Sequence, residues 1–291
     1  IGSSMVETTL HHMRLGGVFD HIGLGFHRYS TDRRWFLPHF EKMLYDQAMI
    51  SMASLEAYQM TGNKKYAKIA REIFTYVLRD MTDKDGGFYS AEDADSEGEE
   101  GIFYIWTEDE LIEILGAEDG KKLAKIFGFI QGGNFQEEAS RHTTGNNIPY
   151  FPTNPETLSK NSGMKLNEFN SFVEKSRQQL FDVREKRVHP LKDDKILTDW
   201  NGLMIAALSL GGQVLNDDTY IQAAKKASDF VLESLRDKDG KLLKRSRLGK
   251  AGLQPHLDDY SFMVFGLLNL YEASFDASYL ESALKLTEIM V

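Results

Sequence analysis

Acidic side chains recur at three similar motifs and crowd one loop. The motifs are Leu44-Tyr45-Asp46-Gln47-Ala48, Leu197-Thr198-Asp199-Trp200-Asn201 and Leu257-Asp258-Asp259-Tyr260-Ser261, and the stretch from Ser90 to Gly101 carries six acids and no base. Carboxylates gathered at one cleft suit work on a glycosidic bond, where one acid protonates the leaving oxygen and a second activates water. Asp93, Glu92, Asp95, Asp46 and Asp199 are therefore the candidate catalytic residues, the three in the acidic loop leading. Aromatic faces and amides suit ring stacking and hydroxyl recognition, which makes Trp200, Asn201, Asp259 and Tyr260 candidates for substrate binding. A second reading stands beside this one. An Asp in a first helical turn caps backbone N–H groups and complements the helix dipole, and a cap is needed in every hairpin.

The acidic loop also mimics part of a calcium loop. Asp93, Asp95, Glu97 and Gly98 fall at its first, third, fifth and sixth positions, but the twelfth is Tyr104 where a bidentate Glu is needed, so no EF-hand forms. A third chemical cluster runs from Gly23 to Lys42 and holds His27, Arg28, His39 and Glu41. Its glycines lack phosphate-loop spacing, and two histidines twelve apart make no helical metal pair. These four residues, with Trp106 at the end of the run Ile102-Phe103-Tyr104-Ile105-Trp106, are read as substrate-binding candidates. No metal and no cofactor is expected. His11 and His12, on an opening helix, carry no assigned role.

The elements that must position these residues repeat. Each acidic motif leads through an apolar helix and a turn (Gly62-Asn63, Asn216-Asp217-Asp218, Asp276-Ala277-Ser278) to a Tyr, at Asp-to-Tyr spacings of 20, 21 and 20 residues. Stretches 46–60 and 200–215 are small and apolar nearly all round, which predicts burial on several sides, while 64–81 and 219–236 are amphipathic. Asp85-Gly86 and Asp239-Gly240 then turn the chain back. A buried inner helix plus an amphipathic outer helix, repeated, predicts an all-α fold, an α/α toroid of helical hairpins. Thr107-Glu108-Asp109-Glu110 predicts a capped helix, Asn134 to Pro155 a loop, and 166–186 a helix. Gly87-Phe88-Tyr89 and the run 102–106 are expected to pair as a small β-ribbon near 87–106. Four to five hairpins are visible. Six would need about 360 residues at this period, so one toroid domain over 1–291 is expected, cut at its start and short of its last hairpin.

Composition narrows the field. The chain has 291 residues, 34 Lys plus Arg against 44 Asp plus Glu, and a net charge of −10, which argues against a nucleic-acid platform. The absence of cysteine excludes disulfides, thiolate zinc sites and thiol nucleophiles within it. Met204 to Leu215 and Phe262 to Tyr271, the longest apolar stretches, fall short of a membrane span. No signal segment is visible, and a cytoplasmic location is expected.

The motifs also resemble a known family. Gly25-Phe26-His27-Arg28-Tyr29-Ser30, Pro38 through Asp46, Ser90 through Gly98, Leu197 through Met204 and Leu257-Asp258-Asp259-Tyr260 are similar to blocks of the bacterial YyaL and spermatogenesis-associated thioredoxin-domain family. That resemblance implies a thioredoxin-like domain placed before a six-hairpin toroid related to glycosidases and N-acylglucosamine 2-epimerases. The chain departs from it in lacking the thioredoxin-like portion. The expected function is action on a mono- or oligosaccharide. As a hydrolase, an acid among Glu92, Asp93 and Asp95 would protonate the glycosidic oxygen while Asp46 or Asp199 activates water. As an epimerase, His27 or His39 would move a proton beside a carbonyl. The rival is a non-catalytic toroid that binds a glycan or protein and serves the attached thioredoxin-like domain. A sugar and that domain are the expected partners, with no nucleic acid and no membrane.

Overall fold

The structure, a computed structural model, describes residues 2–135 and 145–291. Among these the helices are α1 (Gly2–Leu15), α2 (Leu44–Thr61), α3 (Lys64–Asp80), α4 (Glu108–Leu115), α5 (Ala117–Ile126), α6 (Pro155–Asn161), α7 (Leu166–Arg184), α8 (Thr198–Leu215), α9 (Asp218–Ser234), α10 (Leu257–Ser274) and α11 (Ala277–Met290). The chain divides into two compact units: Ile1–Glu41 with Asp93–Leu191, and Lys42–Glu92 with Lys192–Val291. None of these helices is long and apolar enough to cross a membrane.

The second unit is built of three helical hairpins. Inner helix α8 packs between inner helices α2 and α10, and α3, α9 and α11 each back their own inner helix. The sequence explains the division of labour. Outer helix α3 buries Tyr66, Ile69, Ala70, Ile73, Phe74 and Val77, one stripe at helical spacing. Inner helix α8 buries Leu203, Met204, Ile205, Ala206, Ala207 and Leu208 in succession, because it is covered on several sides. It approaches α10 so closely that a Cβ on Gly202 would sit 2.5 Å from the Phe262 backbone, and one on Gly266 2.5 Å from the Gly202 carbonyl oxygen. Each inner helix ends on a left-handed residue, Gly62, Asn216 or Phe275. The next outer helix then starts on an Asn63, Asp217 or Asp276 cap.

The hairpins match residue for residue, and the register differs from the one the acidic motifs imply. Lys42 pairs with Glu92 in one small three-stranded antiparallel sheet as Ile196 pairs with Ser246 in another. The Leu44 amide donates to the Ser90 carbonyl as Thr198 donates to Lys244. Gln47 donates to the Met43 carbonyl as Asn201 does to Leu197. In that register Asp46 stands where the next hairpin has Trp200, and Tyr45 stands where it has Asp199. Asp46 and Asp259 are third residues of their helices, whereas Asp199 is the second of α8. The spacing of 21 among 20s marks the same one-residue slip.

The first unit has α7 against α4 and α6, and α4 against α5. Its core gathers Ile22, Trp106, Leu111, Leu123, Phe127, Phe169 and Leu180. Helix α4 opens with the reciprocal cap its sequence predicts, Glu110 N–H to Thr107 Oγ1 at 3.2 Å and Thr107 N–H to Glu110 Oε2 at 2.7 Å. The ribbon near 87–106 is present, made by the acids themselves: Asp95–Ser96 pairs with Glu99–Glu100 around Glu97 and Gly98, both at positive φ. The aromatic runs go elsewhere, Phe88 bridging Thr82 and Trp106 bridging Asn147. Of the loop expected from Asn134 to Pro155, residues 136–144 lie outside the described residues.

Candidate functional site

At the N-terminal ends of the inner helices of the second unit, the loops that follow α3 and α9 close back onto α2 and α8. Ser90 and Lys244, whose carbonyls hold the first helical amides, occupy matching places there. Lys244 extends its ammonium between two inner-helix acids, 2.7 Å from Asp199 Oδ2 and 3.1 Å from Asp259 Oδ1. Asp259 Oδ1 also accepts the Asp199 amide at 3.2 Å, and its Oδ2 accepts the His256 amide at 2.7 Å. Burial holds the Asp259 carboxyl above the ordinary carboxylate range, with the charge of Asp199 adding to it, against the His256 amide and Lys244. For Lys244 burial opposes the charge, and its bonds to Asp199 and Asp259 outweigh it, so the ammonium lies above the ordinary lysine range. Two carboxyls and one ammonium thus tie α8 to α10.

One hairpin earlier, the matching end carries a different cluster. Lys42 is 1% exposed and Glu92 9%. The buried Tyr76 hydroxyl donates to Glu92 Oε2 at 2.7 Å, Lys192 Nζ lies 3.6 Å from Glu92 Oε1, and Lys42 Nζ sits 4.3 Å from the Tyr76 ring centre. The next hairpin has Ile196, Phe230 and Ser246 at these places. Ile196 and Phe230 both lie against Gly87, where an added Cβ would meet each at 2.9 Å. One hairpin therefore folds with two apolar residues and a serine where its neighbour buries Lys, Tyr and Glu. Burying charge costs more than burying hydrocarbon. The polar version is not a requirement of the fold.

The candidate residues separate by what they touch. Trp200 is half-buried, edge-to-face with Tyr45 at 4.8 Å, and Asp46 is half-buried in the first turn of α2. Asn201 is spent on backbone, donating to the Phe88 and Leu197 carbonyls and accepting the Phe88 amide. The Tyr260 hydroxyl accepts the Leu242 amide. In the first unit Asp93 and Asp95 are exposed, Asp93 Oδ1 accepting the Ala94 amide at 2.7 Å. His39 bridges Glu41 (3.0 Å) and Glu100 (2.7 Å) and stacks on Tyr29, and Arg28 reaches the same Glu41 oxygen at 2.9 Å. His27 is buried, Nδ1 2.9 Å from the Phe40 carbonyl and its ring against Tyr104. Trp106 is fully buried in the core beneath the Arg187 guanidinium at 3.8 Å.

Sequence reading missed Lys244, Tyr76, Lys192 and the buried pair Asp20–Arg184. The last is a two-pronged contact of 2.9 Å at each end, with Asp20 Oδ1 also accepting the Ile22 and Gly23 amides. Gly23 is required there, since a Cβ would fall 1.7 Å from Arg184 Nη2. Lys244 and Tyr76 would have emerged from aligning the hairpins outside their acidic motifs. No sequence signal links Asp20 to Arg184. Among the described residues no group of three or more His, Asp or Glu side chains is placed to hold a metal ion.

Paired inner and outer helices, with acids at the inner N-termini, define an α/α toroid fold. A solved GH76 α-mannanase from Bacteroides thetaiotaomicron is similar over 99% of this chain and 54% of its own, at 14% identity and TM-score 0.53, which is a likeness of fold. Within that class the chain's homologues are the spermatogenesis-associated protein 20 sequences of the thioredoxin-domain family, as the motifs implied. The human protein is 36% identical over 316 residues and the rat protein 36% over 317. Each match takes in 99% of this chain, and the chain spans 40% of the length of these relatives. No family model matches the chain.

Proposed function

We propose that the chain is a carbohydrate-active toroid, a glycoside hydrolase or sugar epimerase acting on a mono- or oligosaccharide. The observation that carries this reading is the substitution of Lys42, Tyr76 and Glu92, at the N-terminal rim of an inner helix, for the Ile196, Phe230 and Ser246 that serve the next hairpin. Buried polar groups that the fold does not require point to chemistry. The rim adds the half-buried Trp200 and Tyr45 rings, which suit a sugar face, and Asp46 one turn into α2. In the hydrolytic form, Asp46 or Asp199 activates water and Glu92, on the same unit, protonates the glycosidic oxygen. In the epimerising form, His27 or His39 moves a proton at the carbon beside the carbonyl.

The test is incubation of the chain with a panel of aryl glycosides, followed by release of the aryl alcohol, and with reducing sugars in deuterated water, followed by NMR. Turnover that falls in Asp46→Asn and Glu92→Gln supports the reading. No turnover in either series contradicts it. The non-catalytic alternative draws on Asn201, Tyr260 and Trp106, whose polar or aromatic groups are committed within the protein. A sugar that binds without change would favour that alternative.

A further inference from the structure

The first unit contains a cavity of about 610 Å³, within the range of small-molecule sites. Among the described residues that line it there is no Asp or Glu, in a chain that carries 44 acids against 34 bases. It is instead faced by Arg34, His11 and His12, with Phe36 and Tyr150 as an aromatic wall. The two rings meet edge-to-face at 4.8 Å, and the Arg34 guanidinium carbon lies 5.8 Å from the Phe36 ring centre.

The walls are closely packed. A Cβ on Gly16 would fall 2.0 Å from the Trp35 carbonyl oxygen, and one on Gly128 2.4 Å from the Tyr150 ring, so both glycines let the backbone close against the aromatic segments. Asn134 braces the far side through the Gly128 and Ile148 carbonyls and the Ile148 amide. We infer that this cavity binds a small organic anion with a ring, a sugar phosphate or sugar acid, whose oxyanion meets Arg34 and the two histidines while its ring lies on Phe36 and Tyr150. A guanidinium favours oxyanions through paired N–H bonds, and aromatic faces favour the apolar side of a ring. The inference does not rest on the sugar chemistry proposed above, since none of the residues assigned there lines this cavity.

Calorimetric titration with four probes tests it: glucose 6-phosphate, glucuronate, glucose and inorganic phosphate. The expected result is that at least one of the two ring anions binds at least about tenfold tighter than glucose and than phosphate. Which one binds tells phosphate from carboxylate recognition. Arg34 is exposed, so Arg34→Gln should fold as the parent does by circular dichroism and lose at least about tenfold in affinity for that probe. His12→Gln should weaken it in the same direction. Absence of binding by both ring anions at millimolar concentration, equal binding of glucose or phosphate, or an Arg34→Gln protein of unchanged affinity overturns the inference.

Discussion

The Tyr76 hydroxyl donates to Glu92 Oε2 across 2.7 Å, inside a hairpin whose neighbour holds Phe230 and Ser246 at the same two places. With Lys42 opposite Glu92 and Ile196 opposite Ser246, one repeat buries a polar triad and the next does not. Internal repetition thus supplies a control within a single chain: what both hairpins share serves the fold, and what only one keeps is free to serve something else.

Exchanging the triad as a set should therefore leave stability intact. K42I/Y76F/E92S is expected to unfold in urea at a midpoint equal to or above that of the parent, because replacing a buried charged cluster by its apolar counterpart is neutral or stabilising by about 1–4 kcal/mol. Tyr76→Phe alone should instead cost about 1–3 kcal/mol, since it leaves a buried Glu92 oxygen without its donor. A triple variant less stable than the single one would show that the triad is structural.

The linkage between Asp259 and Lys244 has a defined pH signature. Burial raises the Asp259 carboxyl, so the folded chain holds that proton more tightly than the unfolded one. Its stabilising contribution is complete below the ordinary carboxylate value of 3.8 and is lost as pH rises through the higher folded value. Asp259→Asn, which stays neutral, should gain on the parent as pH increases across that window. Urea midpoints of both proteins from pH 3.5 to pH 7 check this, and a constant gap between them would rule it out.

His21 should act in the opposite sense. Burial, aided by Arg14, pushes its imidazole from 6.5 down to about 3, while the Gly16 carbonyl accepts from its Nε2. Stability from the neutral ring is present above pH 6.5 and drains away as pH falls toward 3. His21→Gln should flatten the acid limb of the stability curve between pH 6.5 and 4.5. Identical limbs in the two proteins would contradict this.

Arg184 and Asp20 are both buried, so removing one partner strands the other. Arg184→Met should destabilise by about 3–5 kcal/mol, and Asp20→Asn together with Arg184→Met should recover part of that loss. Chemical unfolding of the two single variants and the double one gives the coupling directly.

The α/α hairpins were legible in the residues because burial acts on them periodically. The stripe of Tyr66, Ile69, Ile73 and Val77 and the unbroken apolar run of α8 report how many sides each helix covers. The acidic candidates were legible only as types. An alignment of hairpins on Asp46 and Asp199 is one residue out of register, because identical acids mask that the helix starts match Asp46 to Trp200. Partnerships set by tertiary folding left no local trace: nothing near Asp199 announces Lys244, and nothing near Asp20 announces Arg184. The aromatic runs of 87–89 and 102–106 look alike as strand partners, but Thr82 and Asn147, which bridge Phe88 and Trp106, carry no local signal of doing so.

The most direct measurement sets sugar turnover beside stability for K42I/Y76F/E92S. The expected result is a parent that turns over at least one aryl glycoside or reducing sugar, and a triple variant that keeps its urea midpoint while losing at least about a hundredfold in kcat/KM. A triple variant that keeps both its midpoint and its turnover, or a parent inactive on every sugar tried, would contradict a catalytic rim at this end of α2.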